Sequence, residues 1–263
     1  MLAIPVWLME TASLQSSAEA CMKVGITGAG GNVGSTVTKG LKDHFELTLF
    51  DLKPIAGFDA SFMSMDCAEP EQVRGRFDGL DALIHLAANP WPNAAPRQTL
   101  RNNFEATSYV FNEAHKAGVK KIVFASSNFY HEGAVGDLLR GRRKDLVKLD
   151  EFPTPQSYYA QSKVYAESLG RHLSYSGMQF VALRIGWTVP SDSPVLQDSA
   201  YMRGVFVSHR DLIQAMTKAL HVSASFLPAF CVSNNSEPIF DLAETRFSLG
   251  FDPQDDASSY FSL

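Results

Sequence analysis

Residues 23–51 read KVGITGAGGNVGSTVTKGLKDHFELTLFD. A short apolar run at 24–27 meets three glycines spaced three apart, Gly28, Gly31 and Gly34. A helical stretch continues to Leu41, and a second apolar run closes on Asp51. Strand, glycine turn, helix and strand in that order point to an anion site, because the first N–H groups of a helix are unpaired and carry partial positive charge. Gly28 permits the tight turn out of the strand, Gly31 lets backbone approach a pyrophosphate, and Gly34 lets the helix lie against the sheet. Asn32 and Val33 open that helix, read over 32–41, and are expected against the cofactor. Asp51, 23 residues after Gly28, stands where a carboxylate accepts hydrogen bonds from both hydroxyls of an adenosine ribose. That carboxylate would repel a 2′-phosphate, so NAD is the expected cofactor rather than NADP.

The same alternation continues along the chain. Strands are expected at 47–50, 61–65, in DALIHLAA (81–88), in KKIVFASS (120–127) and in FVALRIG (180–186). Helices are expected in EPEQVRGRF (69–77), with Pro70 in the first turn, at 97–117 and at 158–175. Strands separated by helices imply a parallel sheet covered on both faces, an α/β, Rossmann-type doubly wound fold. Past about residue 187 the pattern loosens. That part is read as a small C-terminal region covering the substrate, within a single domain over 22–263. Residues 1–21 lack a basic stretch ahead of their apolar start and are read as a flexible extension rather than a secretory signal.

Composition narrows the function classes. With 45% hydrophobic residues in 263, the chain can bury a sizeable core. The net charge is −5 and the longest basic cluster is RGRRK at 140–144, which excludes a nucleic-acid stripe. Three cysteines far apart fit neither a disulfide framework nor a metal site, so a reducing cytoplasm is expected and no metal. No apolar run reaches the length of a membrane span. His85 ends a buried strand and reads as a core residue.

The chemistry points to FASSNFY (124–130) and SYYAQSKVYAE (157–167). Tyr159 and Lys163 are four apart and share a helix face. A free tyrosine has a pKa of about 10, and a neighbouring ammonium favours its phenolate, the form that can act as a base. Tyr158 and Tyr165 have no lysine at the corresponding position. The strand that precedes this helix ends in Ser126 and Ser127, and carboxyl ends of strands are where open α/β sheets bind ligands.

Taken together, TGAGGNVG, HLAA, NNFEAT, SSN and YAQSK resemble the short-chain dehydrogenase/reductase superfamily of the extended type. FASSN, LRIG, FVSHRDL and LGFDPQD are similar to uronate dehydrogenases and to the NAD-dependent glucose-6-phosphate dehydrogenases of halophilic archaea. The resemblance implies oxidation at C1 of a cyclic sugar to a lactone. It implies that Ser127 holds the reacting hydroxyl, Tyr159 takes its proton and Lys163 fixes the nicotinamide ribose. Asn128 would contact the sugar, Asp66 would lie by the adenine, and Leu86, Ala87, Ala88 and Asn103 would line the cofactor. Arg203 in YMRGVFVS matches an arginine expected to hold an anionic group, so an anionic sugar is expected, phosphate ahead of carboxylate. Phe129 and Trp187 depart from the uronate pattern, where histidine and a small polar residue stand. Related dehydrogenases suggest a homo-oligomer. Nucleotide-sugar epimerases or dehydratases and non-catalytic dinucleotide sensors share the superfamily and are the alternative readings.

Overall fold

A computed structural model describes residues 21–58, 61–190 and 199–260. The expectation for residues 1–21 falls, apart from Cys21, outside the described residues. Seven parallel strands form one sheet: β1 (Lys23–Thr27), β2 (Glu46–Asp51), β3 (Phe62–Ser64), β4 (Ala82–His85), β5 (Lys121–Ser127), β6 (Gln179–Ile185) and β7 (Phe226–Cys231). Their spatial order is β3-β2-β1-β4-β5-β6-β7. The order reverses between β1 and β4, the place where such sheets open a ligand crevice at their carboxyl ends.

The described helices are α1 (Asn32–Leu41), α2 (Pro70–Val73), α3 (Pro96–Thr99), α4 (Ala106–Lys116), α5 (Glu132–Leu139), α6 (Tyr158–Ser174), α7 (Ala200–Val205), α8 (His209–His221) and α9 (Ala243–Leu249). Side chains alternate across a strand, and the core divides accordingly. Val24, Ile26, Ile84, Val123, Val181 and Leu183 face one side, where α1 and α8 pack. Leu83, Ile122, Phe124, Phe180 and Ala182 face the other, against α4 and α6. A third cluster lies apart from both. It joins Ala134, Val135, Val147 and Leu149 to Val205, Phe230, Ile239 and Phe240.

Several elements differ from the reading of the sequence. The helix expected over 97–117 is broken: a π-helical turn, Leu100–Glu105, separates α3 from α4. The helix expected over 69–77 is one turn, because Arg74 leaves the helical region at ψ 126°. Chain on both sides of residue 187 builds the third cluster, while α8 and β7 return to the main sheet. Ser208 caps α8, its hydroxyl accepting from the Asp211 N–H at 3.1 Å. No helix among the described residues is long and apolar enough to cross a membrane.

Candidate active site

The glycine turn behaves as its spacing requires. Gly28 has φ +69°, a left-handed conformation that favours glycine, and its N–H donates to the Phe50 carbonyl at 2.8 Å. A Cβ on Gly34 would collide with the Gly28 carbonyl oxygen, so no larger residue lets α1 start this close to β1. Among the described residues no side chain caps the N-terminus of α1, so its first N–H groups remain available to a ligand. Asp51 at the end of β2 is held by two backbone donors, Gly30 N–H at 2.9 Å and Leu52 N–H at 2.7 Å.

Gly28, Gly30, Gly31, Asp51 and Leu52 line a cleft of about 610 Å³ together with Asp66, Leu86, Ala87 and Ala88. Asp66 accepts from the Ala68 N–H and from Arg101, both at 2.9 Å. Those bonds outweigh burial and hold its carboxyl below the usual range. Asn103, in the π-helical turn, takes part through both ends of its amide. Its Oδ1 accepts from the Asn89 N–H at 2.8 Å, and its Nδ2 donates to the Asn89 carbonyl and to Ser162. Asn103 therefore ties the cleft-lining segment at Asn89 to α6. Asn32 reaches across to the Thr188 carbonyl at 2.8 Å.

The other half of the site follows from β5 and α6. β5 is buried along its whole length and ends on Ser127, at the carboxyl edge of the sheet. Ser157 caps α6, accepting from the Ala160 N–H at 3.1 Å, which fixes the helix start at Tyr158. The register then turns one tyrosine inward and not its neighbour. Tyr158 is 46% exposed. The Tyr159 ring instead packs edge-on against Phe129 with centroids 5.6 Å apart. Lys163 Nζ lies 5.3 Å from the centre of the Tyr159 ring and donates to the Ala125 carbonyl at 2.8 Å.

The electrostatics differ from the simple expectation that Lys163 would lower the tyrosine. Burial pushes the Tyr159 phenol up, and the Ser127 hydroxyl beside it works the other way. Burial also brings Lys163 down to about 7, against the pull of Glu167, so the lysine is itself only partly charged at neutral pH. Ser127 Oγ donates to Asn128 Oδ1 at 3.1 Å, and Asn128 Nδ2 donates to Tyr201 Oη at 2.7 Å. Tyr201, on α7, carries no motif that marks it in the sequence. Arg203, the expected anion anchor, forms an ion pair with Glu237, its Nε 3.0 Å from the carboxylate. Trp187 pairs with the Phe206 strand segment and is 46% exposed.

Behind this row lies a buried ionic network. Arg184 of β6 holds Glu167 of α6 through two bonds, at 3.1 and 2.9 Å. The Glu167 carboxylate also accepts from Ser126 Oγ. Arg184 further bonds His131 Nε2 at 2.7 Å and the Leu149 carbonyl at 2.9 Å, and stacks on the Tyr130 ring. Burial and the Arg184 charge bring His131 down to about 3, so its ring is neutral and Nε2 can accept. His85 is likewise a neutral core residue, brought to about 3 by burial and bonded to Thr27 and Thr107.

Known proteins resemble this chain over most of its length. The L-arabinose 1-dehydrogenase (NAD(P)(+)) of Haloferax volcanii is 30% identical over 251 residues, covering 90% of this chain and 98% of that protein. The NAD-dependent glucose-6-phosphate dehydrogenase of the same organism is also 30% identical, covering 89% and 94%. Among solved structures, a mutated uronate dehydrogenase superimposes with a TM-score of 0.79 at 25% identity, over 91% of this chain and 84% of that one. The family model for the NAD dependent epimerase/dehydratase family matches residues 24–189, and the chain belongs to that family.

Proposed function

We propose that this protein is an NAD-linked dehydrogenase that oxidises C1 of a cyclic sugar to a lactone. The observation that carries the reading is Tyr159, turned inward beside Ser127 and one turn from Lys163, at the strand ends that also open the dinucleotide cleft. The free N–H groups of α1 and the backbone-held carboxylate of Asp51 fit an NAD molecule. The Gly28–Gly34 loop would hold its pyrophosphate, Asp51 its adenosine ribose, and Asp66 and Leu86 its adenine side. When bound, the oxidised nicotinamide accepts a hydride.

The chain's own residues handle the proton. Ser127 Oγ orients the C1 hydroxyl, and Tyr159 acts as its phenolate, a form that a bound, positively charged nicotinamide would favour against the burial that raises its pKa; the phenolate takes up the hydroxyl proton as the C1 hydrogen leaves with its electron pair. The C1–O bond becomes a carbonyl, which in a cyclic hemiacetal is a lactone. Lys163 lies beside the tyrosine ring, and its role would be to hold the nicotinamide ribose in register. The three cysteines, all free, suit a reducing compartment, the cytoplasm.

Two results test the reading. NADH should accumulate in proportion to sugar consumed when free sugars are added with NAD; an epimerase would return its hydride and leave no net NADH. NAD should support a much higher kcat/KM than NADP, since a fixed carboxylate opposes a 2′-phosphate. Asp51→Ser should narrow that ratio. Equal efficiency with both cofactors in the unaltered protein would remove Asp51 from the ribose site.

A further inference from the structure

Two residues of α7 have different surroundings. Tyr201 Oη accepts from Asn128 Nδ2 at 2.7 Å, which joins it through Asn128 to the Ser127 hydroxyl. The Tyr201 O–H itself meets no acceptor among the described residues, so the phenol retains one donor for a ligand. Burial pushes its pKa up to about 12, which keeps it a neutral donor. Arg203 stands two residues on, about 200° around the helix, and its guanidinium is engaged by Glu237.

Two other guanidinium groups of this region are already paired. Arg143 is matched by Glu151 and Arg184 by Glu167. Glu132 is close enough to raise the Tyr201 pKa, and its carboxylate is bonded by neutral groups, the Gln156 N–H and the Ser157 hydroxyl. Residues 191–198 contain two aspartates and no lysine or arginine, so that stretch cannot supply a cation.

We infer that Tyr201 is a substrate-recognition residue and that the sugar it reads is uncharged: a neutral aldose whose hydroxyls bond Tyr201 and Asn128, not a sugar acid or sugar phosphate. The inference rests on the proposed C1 oxidation. A hydroxyl can accept from the Tyr201 O–H at little desolvation cost. A carboxylate or phosphate would leave water for neutral donors and a neighbouring carboxylate, an exchange that costs more than one hydrogen bond returns. This reverses the expectation of an anionic sugar anchored by Arg203.

The test uses the full chain with NAD and measures NADH formation from arabinose, glucose, glucuronate and glucose 6-phosphate. The kcat/KM of the better neutral aldose should exceed that of both anions by at least roughly tenfold. Tyr201→Phe removes only the oxygen. It should raise KM for that aldose by roughly five- to twentyfold and change kcat by less than about threefold, with NAD affinity intact. Tyr201→Arg should shift preference toward glucuronate. Either anion matching or exceeding the aldoses overturns the inference while leaving C1 oxidation standing. An unchanged KM in Tyr201→Phe also overturns it. If no sugar reduces NAD although NAD binds, the proposed function itself fails and takes this inference with it.

Discussion

Tyr159→Phe should lower kcat by at least about 10²-fold, the lower end of what general-base catalysis contributes. The substitution keeps the ring that packs on Phe129 and removes only the oxygen beside Ser127. NAD affinity should hardly change, because the pyrophosphate contacts proposed for Gly28 to Gly34 lie on another loop. The loss should also fall on kcat more than on KM, since proton removal belongs to the transition state and not to the resting complex. Tyr158→Phe is the internal control: its side chain is largely outside the site and turnover should stay near that of the unaltered protein. Steady-state rates for both variants decide the register. Near-normal turnover in Tyr159→Phe, with loss in Tyr158→Phe, would move the base by one residue.

That register is legible in the sequence because it depends on local signals. The 3.6-residue period pairs Tyr159 with Lys163, and the glycine trio bounds α1 at the residues read from it, 32–41. What is not legible depends on contacts distant in sequence. The strand β7 contains Pro228, which argues against a central strand; it is tolerated because β7 is an edge strand that pairs with β6 alone. The π-helical turn at Leu100–Glu105 replaces ordinary helix where Asn103 bonds Asn89 and Ser162, partners 14 and 59 residues away. In YMRG the guanidinium stands out by its charge, yet Tyr201 is the side chain that reaches Asn128. Which face of a six-residue helix meets the site is set by its anchors, and those lie in other segments.

The buried network behind the serines is equally unreadable from local pattern, being drawn from residues 126, 131, 149, 167 and 184, and it leads to the second large effect. Glu167→Gln should cost about 3–5 kcal/mol of folding stability, because it leaves the Arg184 guanidinium buried without its counter-charge. Against a typical total of about 5–15 kcal/mol, that is a large fraction, read as a lower denaturant midpoint. The loss belongs to the unpaired charge and not to the pair's intrinsic worth. Replacing both partners, Glu167→Leu with Arg184→Met, should therefore cost less than Glu167→Gln alone. His131 and the Leu149 carbonyl would then lose a donor in the double variant, so some destabilisation should remain. Activity separates the two roles of Glu167. Its carboxylate bonds Ser126, next to the Ser127 proposed to hold the substrate, and it opposes the fall in the Lys163 pKa. At temperatures where Glu167→Gln is still folded, kcat should fall, and its dependence on pH should move with the lysine toward lower pH. An unchanged midpoint in Glu167→Gln would show that water or relaxation compensates Arg184. An unchanged pH profile would confine Glu167 to holding the fold.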